Sequence, residues 1–163
     1  MKIISIDPGY ERVGIAIIEK VKSGRELLIH SECFKTSPKI PHADRLSLIK
    51  KKIEELIKRF SPDELAIETL FFSGNQKTAL LVSESRGVVI SVCKSAGLNT
   101  FEYGPGEIKL AVTGYGKSSK DAVMRMVPKL IEIDSERKQS IKNDDEYDAI
   151  AVGLTHCAIR VFK

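Results

Sequence analysis

Cysteine is scarce in this 163-residue chain: Cys33, Cys93 and Cys157 are scattered, odd in number and without any C-x-x-C spacing. That excludes a disulfide framework and gives no zinc signature, so the three are expected as reduced core residues. No apolar run is long enough to span a bilayer, and none follows Met1-Lys2 as a leader would require. The expectation is a soluble, cytoplasmic protein with no membrane partner. Charge of one sign is not in large excess either. A net +4 permits nucleic-acid binding without requiring it, because only clustering of the cations on one face would be informative. No side-chain nucleophile stands beside an evident base, which fits chemistry without a covalent intermediate.

What is present is enough apolar residue, 42% of the chain beside 29% charged, to build one globular domain over residues 1–163. The chain is organised around its first stretch, IISIDPGYERVGIAII. Apolar residues run to Ile6, stop at Asp7-Pro8-Gly9 and resume at Val13, the pattern of two half-buried strands in a hairpin. Asp7 ends the first strand at a turn that backbone and solvent can reach. It could merely shape that turn. The same arrangement occurs in actin-like ATPases and sugar kinases, where the turn approaches a phosphate, and in RNase H-like nucleases, where the Asp holds metal. Length weighs against the ATPases, which need two such domains.

Residues 26–34 read as a third strand and 36–41, with Pro38 and Pro41, as a loop. Between 44 and 60 apolar residues recur every three or four positions, one buried stripe on a helix whose lysine-rich outer face is read as solvated. Residues 64–68 form a short strand, parallel to the first and ending in Glu68; ligand sites gather at that end of such sheets. A helix over 76–96 is apolar on most sides and needs cover on most sides, which a partner subunit would supply. A fifth strand follows at 100–103. A glycine-broken helix comes next, then a helix from Ser118 or Ser119 to about 131, a polar connection over 134–143 expected to be mobile, and a last helix from Ala149 to about Phe162. The fold expected is α/β: a mixed five-stranded sheet, three antiparallel strands and then parallel ones, flanked by helices.

Asp145 and Asp148, three apart at the start of the last helix, point the same way. Compensation of the helix dipole accounts for one or two acids there. The apolar Ala149-Ile150-Ala151-Val152 that follows implies a partly buried carboxylate instead, and burying an unpaired charge is costly. A divalent ion shared with Asp7 and Glu68 would remove that cost. Oxygen ligands select Mg²⁺ or Mn²⁺ over zinc, and two such ions roughly 3.5 to 4 Å apart can activate a water and stabilise a leaving oxygen of a phosphodiester.

With IDPGxxxxG at the start, AIET-LFF around Glu68, ESRGV over 84–88, EYGPGEIKLAVTGYGKSSK over 102–120 and DxxDAIAVGLTH over 145–156, the chain resembles the RuvC-type Holliday junction resolvases of the RNase H-like superfamily. The resemblance covers nearly the whole chain. It implies a homodimeric, Mg²⁺-dependent endonuclease of DNA recombination and repair, with Mn²⁺ as a substitute, that nicks two opposed strands of a four-way DNA junction alongside a branch-migration motor complex. It also implies Asp7, Glu68, Asp145 and Asp148 as catalytic and metal-binding residues, Phe71 as an aromatic that stacks on junction bases, and Lys109 and Lys120 as cations near the cleaved phosphate. Gly74, Ala122, Val13 and Ala16 depart from the family pattern, none at the four acids. The near alternative is another nuclease of this fold acting on RNA or on simple DNA ends. The distant one is a non-catalytic junction-binding protein.

Overall fold

A computed structural model describes residues 1–70, 76–141 and 143–160, without the side chains of Arg137, Lys138 and Ser140. Strands β1 (Lys2–Asp7), β2 (Arg12–Glu19) and β3 (Glu26–Lys35) form an antiparallel meander, followed by helix α1 (His42–Phe60), β4 (Glu64–Glu68), α2 (Gln76–Ser95) and β5 (Asn99–Tyr103). The remainder is α3 (Pro105–Thr113), α4 (Lys120–Leu130), β6 (Ile131–Glu132), α5 (Ser135–Ser140) and α6 (Asp144–Ile159). The sheet order is β5-β4-β1-β2-β3-β6, with β4 parallel to β1, β5 parallel to β4 and β6 parallel to β3.

Strand alternation assigns each apolar residue to one of two cores. Ile4, Ile6, Val13, Ile15, Ile17, Leu65 and Ile67 pack against α1 and α2, while Ile3, Ala16, Ile18 and Ala66 pack against α6 with α3 and α4. In α1, buried Ile49, Ile53 and Leu56 are the expected stripe, and the helix ends at Ser61, left-handed at φ 48°, with its N–H on the Ile57 carbonyl at 2.9 Å. α6 is the central helix. Every residue from Ala149 to Cys157 is buried, and Gly153 makes that approach possible, since a Cβ there would lie 2.5 Å from Ile18 Cδ1 and 2.7 Å from Ser5 Oγ. At its far end the fully buried His156 lies 2.7 Å from both Glu64 and the Tyr103 hydroxyl. A carboxylate only accepts, so Nε2–H donates to Glu64 and Nδ1 accepts from Tyr103. This histidine is a packed core residue.

Three expectations are corrected. The sheet has six strands rather than five, because β6 is two residues long and shows no periodicity; Ile131 read as the end of the preceding helix. The 134–143 connection contains α5. The last helix begins at Asp144 rather than Ala149 and closes at Ile159, so Asp145 and Asp148 lie within its first turns; Phe162 is outside the described residues.

Candidate active site

Ile6 of β1 lies opposite Ile67 of β4, so Asp7 and Glu68, one residue further along each, end neighbouring parallel strands side by side. Both share the alternation parity of Ile3 and Ala66, which puts their side chains on the α6 face. Across the hairpin Asp7 faces Gly14, and Gly14 faces Cys33. The start of α6 sits over that row. A Cβ on Gly14 would lie 2.1 Å from the Asp145 carbonyl oxygen, so only glycine lets the helix come down there. Cys33 then donates an S–H bond to Asp145 Oδ2 at 3.3 Å.

The turn after Asp7 is tied to both helices of the opposite face. Ser85 on α2 donates its hydroxyl to the Gly9 carbonyl at 2.6 Å. Thr36 donates to the Tyr10 carbonyl at 2.7 Å, and the buried Arg45 of α1 donates to Thr36 at 2.9 Å with its guanidinium 4.6 Å over the Tyr10 ring. Asp7 is thus placed by anchors on both sides of it. On the other flank, Ser119 caps α4 by accepting the Ala122 N–H at 3.2 Å, which sets Lys120 as its first residue. A cleft of about 260 Å³ is lined by Glu68, Lys109, Lys120 and Asp148.

Charge is crowded here. Burial above all, then Glu68, Asp148 and Asp145, holds the Asp7 carboxyl well above the ordinary range. Glu68 is pushed up to about 7 by burial and Asp148, against the pull of Lys109 and Lys120. Burial also raises Asp148, restrained by its bond to Lys120. Two cations answer part of this charge: Lys120 Nζ is 2.7 Å from Asp148 and 2.9 Å from Asp144, while Arg12 is 2.9 Å from Asp144 and also paired with Asp145. Burial pulls the Lys120 ammonium down, but its bonds to Asp148 and Asp144 outweigh that and raise it. Asp144 bridges both cations.

Thus the structure brings Asp7, Glu68, Asp145, Asp148, Lys109 and Lys120 to one end of the sheet. Phe71 and Gly74 lie outside the described residues. Sequence reasoning missed Arg12 and Asp144, which are 132 residues apart and bond across the hairpin mouth; only Asp144's place in the acidic run 144–148 hinted at either. Among the described residues no three His, Cys, Asp or Glu side chains are gathered tightly enough to hold an ion as they stand, and Arg12 and Lys120 pair with two of the acids instead. The chemistry of the set still suits one: all donors are carboxylate oxygens, as hard divalent cations prefer, and Asp7 and Glu68, raised by burial first and then by neighbouring acids, carry charge that a divalent ion would stabilise.

A family model for the crossover junction endodeoxyribonuclease RuvC matches residues 3–156. The RuvC endodeoxyribonuclease of Finegoldia magna is 39% identical over 163 residues, covering 100% of this chain and 96% of its own; that of Halothermothrix orenii is 37% identical over 156 residues, covering 96% and 92%. Thermus thermophilus RuvC, solved in complex with a Holliday junction substrate, superposes with a TM-score of 0.88 at 31% identity, covering 98% of this chain and 94% of that one. By the family match and these identities over nearly its whole length, the chain belongs to the RuvC family of crossover junction endodeoxyribonucleases.

Proposed function

We propose that Asp7, Glu68, Asp145 and Asp148 are the hydrolytic centre of a structure-selective endonuclease that resolves four-way DNA junctions by paired nicks in recombination and repair. The observation that carries this is the pair of half-buried carboxyls ending adjacent strands, with raised affinities for protons, under the first turns of α6. A fold that crowds acids against their own repulsion sacrifices stability, and a site that binds cationic metal gains from it. The four acids would hold Mg²⁺, two ions per site in this reading and Mn²⁺ as a substitute, and the metal would supply an activated water and a counter-charge for the leaving oxygen.

The chain's own residues do the rest. Lys109 and Lys120 flank the cleft and receive the scissile phosphate, with Lys120 leaving Asp148 to neutralise charge that develops there. Phe71 stacks on a base at the branch point. The residues act as one domain, and two copies work as a homodimer. Leu80 on α2 is 62% exposed and its neighbours Ala79, Leu81 and Val82 are half-buried, apolar surface near the start of the helix that a second copy would cover. The resemblance adds a branch-migration motor complex as a further partner. Among the described residues no helix is long and apolar enough to cross a membrane, and cytoplasmic action fits this.

A synthetic four-way junction offered beside a duplex and a flap, with Mg²⁺ or chelator, tests the reading. Paired nicks on the junction alone, only with metal, are expected. Asp7→Asn should abolish cleavage while junction binding persists or improves, since less negative charge then meets the phosphate. Cutting by Asp7→Asn at the wild-type rate would refute the assignment, and metal-independent binding without any cleavage would favour the non-catalytic alternative.

A further inference from the structure

The turn between α3 and α4 is braced from within. The Thr113 hydroxyl donates to the Lys109 carbonyl at 2.7 Å and accepts the Tyr115 N–H at 3.2 Å. Ser118 Oγ lies 2.6 Å from Thr113 Oγ1 and 2.7 Å from the Tyr115 carbonyl, which also accepts the Ser118 N–H at 3.1 Å. Gly114, at φ 78°, closes α3 with its N–H on the Leu110 carbonyl at 2.8 Å. Gly116 lies so close to Gly106 that an added Cβ would be 3.2 Å from its carbonyl oxygen. The turn's polar groups are therefore spent on itself.

Its apolar groups are not. Tyr115 is 61% exposed and Leu110, packed beside Gly116, is 56% exposed. A single exposed tyrosine needs no explanation. Here a braced turn holds one out between two helices whose lysines, Lys109 of α3 and Lys120 at the start of α4, line the cleft, and the turn itself carries exposed Lys117. An exposed aromatic on a turn whose flanking segments carry these cations matches one class of partner, nucleic acid, whose phosphates and bases it meets together.

We propose that Tyr115 is a second base-stacking residue, placing its ring on a base beside the phosphate held between Lys109 and Lys120. This rests on the nuclease reading above, and adds to it a contact independent of Phe71 and of metal. An aromatic on a braced turn loses little freedom on binding, so most of the stacking attraction survives as affinity.

Affinity of full-length wild type, Tyr115→Ala and Tyr115→Phe for a four-way junction is to be measured by fluorescence anisotropy in chelator at several salt concentrations, with thermal melts and sedimentation of each protein. Tyr115→Ala should bind roughly 5- to 100-fold more weakly, the loss of one base stack. Its slope of log affinity against log salt should be unchanged, since no phosphate contact is removed. Tyr115→Phe should bind as wild type does, and all three should melt together. Equal affinity of Tyr115→Ala and wild type overturns the inference while leaving the nuclease reading intact. So does a loss that Phe does not restore, one accompanied by a lowered melting point, or dissociation of Tyr115→Ala into monomers, which would make the tip a contact between copies. Wild type that binds no junction sinks the nuclease reading and this contact with it.

Discussion

Glu68 shows what the fold demands of a single side chain. Its carboxyl, ordinarily near 4.5, titrates at about 7 because of burial and Asp148, so between those values the folded chain holds more protons than the unfolded one. Stability from this group is therefore complete below about 4.5 and lost as pH rises through about 7. In chelator at pH 8, Glu68→Gln should melt several degrees above wild type, at roughly 2 to 4 °C per kcal/mol for a chain of this size, and the gap should close near pH 4.5. Saturating Mg²⁺ at pH 8 should reverse the order, since only wild type keeps all four acids. Differential scanning fluorimetry across pH decides it, and a gap independent of pH would show that ionisation of Glu68 is not its cause. Lys120 makes the opposite kind of contribution, a cation parked on Asp148 and Asp144. Lys120→Ala should lower the single-turnover cleavage rate ~100-fold or more while affinity falls far less; the reverse pattern would make it a positioning contact.

Two glycines decide how closely α6 lies on the sheet, and they differ in what they protect. At Gly14 an added Cβ would meet backbone, the Asp145 carbonyl at 2.1 Å, so strand and helix must part and Asp145 moves with them. At Gly153 it would meet side chains rather than backbone, Ile18 Cδ1 at 2.5 Å and Ser5 Oγ and Cβ at 2.7 and 3.1 Å, so the strain falls on core packing. Gly14→Ala should thus cut the cleavage rate by about 100-fold, the scale of an ångström's misplacement, beyond what any drop in melting point explains. Gly153→Ala should lower the melting point, at a cost of about 1 to 3 kcal/mol for overpacking, with the rate at 25 °C nearly kept. Single-turnover assays paired with thermal melts separate the two; equal effects on rate would mean that α6 transmits any shift along its whole length.

For the molecule as a whole, the open question is how many copies act. α2 buries Ser85, Val89, Val92 and Cys93 against α1 and the sheet and leaves Leu80 in solvent. Leu80→Glu adds a charge where this chain has no core to disturb, so it should fold normally, sediment as a monomer and nick junction strands singly rather than in pairs. Wild type sedimenting as a monomer at micromolar concentration, with and without DNA, would remove the basis for a dimer.

The sequence by itself determined five of the strands, the long helices and where two of the four candidate acids stand, because alternation and the 3.6-residue period are local and Asp7 and Glu68 close strands at marked ends. Asp7 before Pro8-Gly9 and Glu68 at the close of ELAIE were legible for that reason. β6 was not, being two residues that become a strand only because β3 lies beside them. Nor was the start of α6, where acids and Asn143 read as connection until packing carried the helix back to Asp144. Only the tertiary structure decided that Arg12 and Asp144 lie beside the candidate acids, that Gly14 is the floor under Asp145, and that the acids' charges are shared among Arg12, Lys120 and raised proton affinities. Periodicity reports which face a residue takes within its own element; charge acts through space, between groups that the chain separates by up to 132 residues, and is settled only when the fold brings them together.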